Sequence, residues 1–407
     1  MRLLCLLLAL TLLSCGRSEP LRRADRTTTT TTTPTPTTPT TPEPTCRIVR
    51  YEPNVRIVTE TYFDAPYVSG GRVYHAYGRG QLDGIAVIDV ETDISSPLRA
   101  ERSHRRLVDA RDGAVAWTET TSDGLTLFFE HPDVGTEQVA SVPFDPRPYG
   151  SEFGAERKLI DRTGIVYSSA GLRAWTPGRR PFLIAAPSAA FNAVFGSGHV
   201  AFFTEGGASQ GRAIEVVDVA SGERALTPSG VYVAPPLLTD GALYFTRDRV
   251  SRFDLNTQQT EVLGVSAGCR LRDVDAGDFV STCAPPGQNH GASLEVSIGG
   301  ERLERDAEGG IITVARIDDG LVAYVHFEDP DALCRGGGTG TVRLWDPDED
   351  SETVVAEVGA PCECCDAISP ALGVAFEDGI LAWNYALADE TPYAIGYATF
   401  EPIEVCD

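Results

Sequence analysis

The densest group of reactive side chains in this sequence is Cys362-Glu363-Cys364-Cys365-Asp366, with Cys334 upstream of it. Thiolates so close together can chelate a soft metal, and in an oxidising compartment they pair as disulfides instead. A second group lies in two irregular stretches, with His290 in 283–291 and Glu328, Asp329, Asp331 and Arg335 in 327–340. Carboxylates, an imidazole and a guanidinium are the groups that grip charged ligands or move protons. Three shorter strings resemble reactive motifs by spacing. Gly207–Gly211 puts Ser209 in a Gly-x-Ser-x-Gly string, and Gly336–Gly340 has the glycines of a phosphate cradle. Asp346, Asp348, Asp350 and Glu357 fall at positions 1, 3, 5 and 12 of a calcium loop.

Each of these chemistries requires a particular element beneath it. A nucleophile elbow needs a strand followed by a helix, and a phosphate cradle needs the start of a helix. The residues after Ser209 and after Gly340 read as strands. In the calcium-like stretch Ser351 stands where the loop needs glycine, and the segment reads strand-turn-strand. Histidines at 75, 104, 131, 199, 290 and 326 have no metal-ligand spacing, and His75, His199 and His326 belong in or beside strands, packed and hydrogen-bonded. No catalytic residue, structural metal or cofactor is therefore expected, with Ca2+ at 346–357 as the one alternative.

The positioning elements follow from a repeat. Turn glycines recur at 71, 113, 164, 198, 241, 277, 320 and 379, with separations of 42, 51, 34, 43, 36, 43 and 59 residues. After each comes a β-rich apolar run, such as Arg72–Tyr77 or Ile380–Tyr385, and then a third strand that often ends in Asp: Asp89, Asp218, Asp254 and Asp346. An Asp that opens a hairpin turn accepts backbone N–H groups there, and the Asp-Gly pairs at 112, 240, 319 and 378 supply the positive φ of a tight hairpin. The mean period of about 44 residues is that of a four-stranded propeller blade. The expected fold is all-β, a propeller of eight four-stranded blades, with seven as the alternative count. Residues 213–230, AIEVVDVASGERALTPSG, resemble the repeat of TolB-like propellers. Val55–Glu60 has no turn glycine of its own and is expected to close the ring as the outer strand of the last blade, built from residues 371–406.

The N-terminus precedes this fold. Arg2 and the apolar run Leu3–Leu13 form a secretion signal, too short to span a bilayer. The run ends in Leu-Leu-Ser-Cys at 12–15, which resembles the lipobox of bacterial lipoproteins; the resemblance implies cleavage after residue 14 and acylation of Cys15. Residues 15–45 then read as a lipid-anchored Thr/Pro-rich linker, able to hold the propeller of residues 46–407 up to about 60 Å from the lipid. Gly16 implies, by resemblance to enterobacterial sorting, the outer membrane. Eight cysteines remain in an exported domain: Cys46, Cys269, Cys283, Cys334, Cys362, Cys364, Cys365 and Cys406. Cys269 is expected to pair with Cys283 across one hairpin, Cys46 with Cys406 at the closure, and Cys334 with the 362–365 cluster.

On residues 46–407, 29 basic against 55 acidic side chains leave a formal charge of −26, which disfavours nucleic acid as a partner. Lys158 is the one lysine. In a blade, the first-to-second and third-to-fourth turns share one face, and the second-to-third loops share the other with the blade connections. The long stretches 143–157, 283–291, 327–340 and 358–370 all fall on the second face. Long loops on a rigid scaffold are where binding resides, so His290, Glu328, Asp329, Asp331 and Arg335 around the channel mouth are the candidate ligand residues. The expected function is that of a monomeric, membrane-anchored envelope propeller that binds a protein or envelope ligand. Its rivals are a hydrolase or lyase using acidic channel residues, and an outer-membrane assembly scaffold.

Overall fold

The structure is a computed structural model and describes residues 46–61, 65–77, 84–98, 105–121, 124–142, 158–186, 190–204, 213–227, 230–232, 234–239, 241–263, 267–284, 291–329, 339–359, 373–386 and 393–406. The regular elements among them are all strands, and they form eight antiparallel sheets of four. The sheets are the blades of a closed propeller. Their inner strands, which line the channel, are Tyr67–Ser69, Arg105–Arg111, Ile160–Asp161, Ala190–Gly196, Leu237–Thr239, Cys269–Asp275, Ile311–Asp318 and Val374–Glu377, for blades 1 to 8 in order. Seven of the eight glycines of the repeat lie between an inner and a second strand, and Gly164 opens the second strand of blade 3. At six of these turns consecutive residues take positive φ, as the tight hairpin requires, among them Asp112 and Gly113 (50° and 76°), Asp319 and Gly320 (46° and 77°), and Asp378 and Gly379 (56° and 68°).

The apolar runs after the glycines are the second strands. A strand with a sheet neighbour on either side and a blade against each face has no polar side, so its sequence reads as a continuous apolar run. Trp117, Phe202, Phe245, Phe327 and Trp383 are accordingly fully buried. The third-strand aspartates take the turn role expected of them. Asp89 Oδ1 accepts Thr92 N–H at 3.0 Å, Asp218 Oδ1 accepts Ser221 N–H at 2.6 Å, and Asp254 and Asp346 do likewise.

Backbone pairing does not hold the ring together. Five blades are isolated sheets, and blades 7, 8 and 1 touch only through single residue pairs, Gly359 with Ala386 and Thr61 with Tyr77. Apolar packing fills every joint instead: Trp117 and Tyr74 between blades 2 and 1, Phe129 and Trp175 between 2 and 3, Tyr324 and Leu294 between 7 and 6, Ile395 and Val73 between 8 and 1. Side-chain oxygens then stitch one inner strand to the next blade. Ser69 Oγ accepts Gly113 N–H at 2.8 Å, Asp161 Oδ2 accepts Ser197 N–H at 2.6 Å, Asp275 Oδ2 accepts Asp319 N–H at 3.0 Å and Asp318 Oδ2 accepts Gly379 N–H at 2.8 Å. All four acceptors are the last residue of their inner strand. Asp109 does the same from two residues deeper, its Oδ2 accepting Leu159 N–H at 2.7 Å.

The ring closes with the N-terminal strand. Cys46–Thr61 is the outer strand of blade 8 and pairs with Tyr393–Cys406, with Val55 opposite Ala398 and Cys46 opposite Cys406. This is the closure expected of Val55–Glu60, begun nine residues earlier at Cys46. The side chains of Cys46 and Cys406, and all of Cys334, Cys362, Cys364 and Cys365, lie outside the described residues. Cys269 and Cys283 form the expected disulfide across the first two strands of blade 6.

The stitching makes a direct prediction. Asp109 is buried, and removing its carboxylate takes the acceptor from the Leu159 N–H and one paired anion from Arg111. Asp109→Ala should therefore cost about 2–4 kcal/mol in urea unfolding; a loss below about 0.5 kcal/mol would show that apolar packing alone holds blades 2 and 3.

Candidate functional site

All eight inner strands run from the loop face to the turn face, so the two ends of the channel are built from opposite ends of the same strands. The turn end is bridged by charge. Lys158 sits just before the inner strand of blade 3, and its Nζ donates to Val274 O in blade 6 at 3.0 Å, with Asp273 Oδ1 at 3.7 Å. Glu377 Oε1 accepts Asp112 N–H at 2.8 Å, a bond from blade 8 to blade 2 past the three-residue inner strand of blade 1. Arg111 lies between these groups, with Nε 3.7 Å from Asp109 Oδ1 and with the charges of Asp273 and Glu377 acting on it.

These surroundings shift the acids upward. Burial pushes the Asp109 carboxyl up to about 6, against the pull of Arg111. Burial, reinforced by the Asp112 carboxylate, pushes Glu377 up to about 8. Two inward carboxyls with raised pKa beside a guanidinium have the composition of a general acid–base pair. Their geometry serves another end. Asp109 accepts N–H groups from Ala110 and Leu159 on its two oxygens, and Glu377 accepts one from Asp112. The cleft that Arg111, Arg316, Tyr67, Phe376 and Glu377 line has a volume of about 10 Å³, room for one water molecule. Both Asp109 oxygens and one Glu377 oxygen are thus committed to backbone N–H groups, in a cleft with little space for a substrate.

The loop end gathers two of the stretches singled out in the sequence. Glu328 and Asp329 follow the second strand of blade 7, Leu321–Phe327, and are exposed. Gly291, next in the chain after His290, forms a bridge with Ile312 on the inner strand of blade 7, with N–H to O distances of 3.3 and 2.8 Å. Ile312 is itself paired with His326, two residues before Glu328. The ends of stretches 283–291 and 327–340 thus meet at the loop end of one blade. His290, Asp331 and Arg335 themselves lie outside the described residues, as do Cys15, Ser209 and the Cys362–Cys365 cluster. Of the strands that follow the motif-like strings, Ile214–Asp218 comes after Ser209 and Thr339–Asp346 takes in the last two residues of the glycine string. His75 and His326 are buried and His199 is half-buried, each with a ring nitrogen bonded to a backbone carbonyl. In the calcium-like stretch Asp346 Oδ1 faces the N–H groups of Asp348 and Glu349, within a strand-turn-strand segment.

The channel charges Asp109, Arg111, Lys158, Asp273 and Glu377 were not among the candidates. Asp109 and Asp273 reach their positions because a β-bulge precedes each of them, and a bulge leaves no mark in composition or period. Lys158 did carry a signal, as the one lysine in a chain with 34 basic residues.

The fold and the two channel ends define an eight-bladed β-propeller with one stitched and one looped face. No family model matches the chain, and no curated protein matches it. Among solved structures it is similar to the β-propeller domain of the Trilobed protease from Pyrococcus furiosus, at 10% identity over 81% of this chain and 92% of that one, with a TM-score of 0.45. It is also similar to BamB from Moraxella catarrhalis, at 12% identity over 88% of this chain and 98% of that one, with a TM-score of 0.40. A third similarity is to the tricorn protease, at 14% identity, 80% coverage and a TM-score of 0.39, where this chain spans only 36% of the other's length. These likenesses concern sheets arranged in a ring and assign no activity.

The stitched end should respond to pH. An acid whose folded pKa lies above its unfolded value destabilises the fold once it ionises. The stability that protonated Glu377 contributes is therefore complete below its ordinary 4.5 and is lost as pH rises through about 8. Glu377→Gln never ionises. Its melting temperature relative to the parent protein should rise between about pH 5 and pH 9, and an offset that stays constant across that range would contradict the assignment.

Proposed function

We propose that this protein is a lipid-anchored propeller of the cell envelope that binds an envelope partner on its loop face and performs no reaction itself. The observation that carries the reading is the asymmetry of the channel. At the turn face, carboxylates accept backbone N–H groups around a cleft the size of one water molecule. At the loop face, blade 7 presents the exposed carboxylates Glu328 and Asp329 beside the bridge that anchors the end of the His290 stretch. Surfaces used for recognition present polar groups to solvent, and those used for cohesion bury them against one another.

The anchor half of the proposal rests on the Leu-Leu-Ser-Cys string and the Thr/Pro-rich residues that follow it. Acyl chains on Cys15 would hold the protein at a bilayer. Cys15→Ser should move the exported protein from the membrane fraction to the soluble fraction in cell fractionation, and retention of the variant on the membrane would remove the anchor from the proposal.

Photo-crosslinking of the full-length protein in its native envelope tests the face. A crosslinking side chain at Asp329 on the loop face should give a discrete adduct, and one at Asp348 on the turn face should give none. Equal adducts at both positions, or adducts at Asp348 alone, would overturn the loop-face reading.

A further inference from the structure

Charge along the inner strands is sorted by height. Asp109, Asp161, Asp273, Asp275, Asp318 and Glu377 stand toward the turn end, interspersed with Arg111 and Arg316. Toward the loop end, the charged residues described on the inner strands are all cations: Arg105, Arg106, Arg270 and Arg272. Arg105 Nε meets Glu119 Oε1 at 2.9 Å in a largely buried pair. The other three stand nearer solvent. Arg106 and Arg270 are exposed, and Arg272 is half-buried with its Nε donating to Thr282 Oγ1 at 2.7 Å.

Arg106 and Arg270 occupy equivalent places. Each lies three residues before a bulge-positioned carboxylate, Asp109 in blade 2 and Asp273 in blade 6. Blades 2 and 6 are four apart in a ring of eight, so the two arginines sit on inner strands at opposite sides of the channel. Arg270 is also paired with Thr282, the side chain against which Gly291 packs, at the end of the His290 stretch. The remainder of the domain is strongly acidic, with a formal charge of −26 on residues 46–407. A cationic rim on such a body directs anions to one place, because the surrounding surface repels them and the walls of the mouth focus the field.

We propose that the loop-end mouth of the channel binds a ligand bearing several oxyanions, carboxylate or phosphate, between Arg106 and Arg270 with Arg272 behind them. This rests on the loop-face reading above and gives it a ligand chemistry. Guanidinium groups suit such oxyanions because their paired N–H donors match two oxygens at once.

The test uses the full-length protein with polygalacturonate as the carboxylate probe, polyphosphate as the phosphate probe and neutral dextran as control. One of the two polyanions should bind, more weakly as salt rises, and dextran should not. Arg106→Glu/Arg270→Glu should weaken that binding by about tenfold or more, and Arg106→Gln/Arg270→Gln, which keeps side-chain stems over the strands, should weaken it less. Melting temperatures of both variants should match the parent protein, so that lost binding reports lost charge. The polymer that binds identifies the source of the oxyanion. Failure of both polyanions at low salt, or equal binding by the parent and both variants, overturns the proposal. In either case crosslinking from Asp329 separates the two claims: adducts there keep the loop face and retire the oxyanion, whereas their absence retires both.

Discussion

A closed ring of sheets faces a constraint that a single sheet does not: its units exchange almost no backbone hydrogen bonds, so whatever passes between their faces must hold them. Here the single pairs Gly359–Ala386 and Thr61–Tyr77 and the isolated bridge Gly291–Ile312 are the backbone pairings between blades among the described residues. Apolar packing supplies the bulk attraction but is non-directional. Direction comes from the carboxylates at the turn end, each fixing the N–H of a neighbouring turn at hydrogen-bond distance. That role explains why inner strands two to eight residues long end so often in Asp or Glu, and why acids that look available in the sequence are consumed in the fold.

Consuming them has an energetic consequence. Asp109, Asp161, Asp318 and Glu377 are all shifted upward, with burial as the leading cause and like charges adding to it at Asp161, Asp318 and Glu377. Cations offset this only in part, as Arg111 does at Asp109 and Glu377. The turn end is thus a compact, water-poor lattice of paired groups, and the solvated ends of the same strands are left on the other face. Division of labour between the two faces follows from where the strands begin and end.

Much of the architecture could be read from the chain because turn chemistry is local. Gly113, Gly320 and Gly379 advertise positive φ, and Asp89, Asp218, Asp254 and Asp346 advertise their turns; both depend on residues within four positions of one another. The closing strand was found by exclusion, since Val55–Glu60 lacked a turn glycine, although its true start at Cys46 was not apparent from that run. The channel was not readable in this way. Lys158 and Asp273 are 115 positions apart, and Asp112 and Glu377 are 265 apart, so nothing local links them. Of the site residues expected at the loop mouth, Glu328 and Asp329 are exposed at the loop end of blade 7. Arg106 and Arg270 escaped notice because their equivalence depends on two bulges that only the strand register reveals.

The central claim is that one face coheres and the other recognises. Hydrogen–deuterium exchange of the full-length protein, compared between isolated native envelopes and the purified state, tests it most directly. Added protection in the envelope should fall on the loop ends of blades 2, 6 and 7, around residues 105–108, 269–272, 291–293 and 326–329, and leave the turns at 112–113, 319–320 and 378–379 unchanged. Protection at those turns, with none at the loop ends, would contradict it.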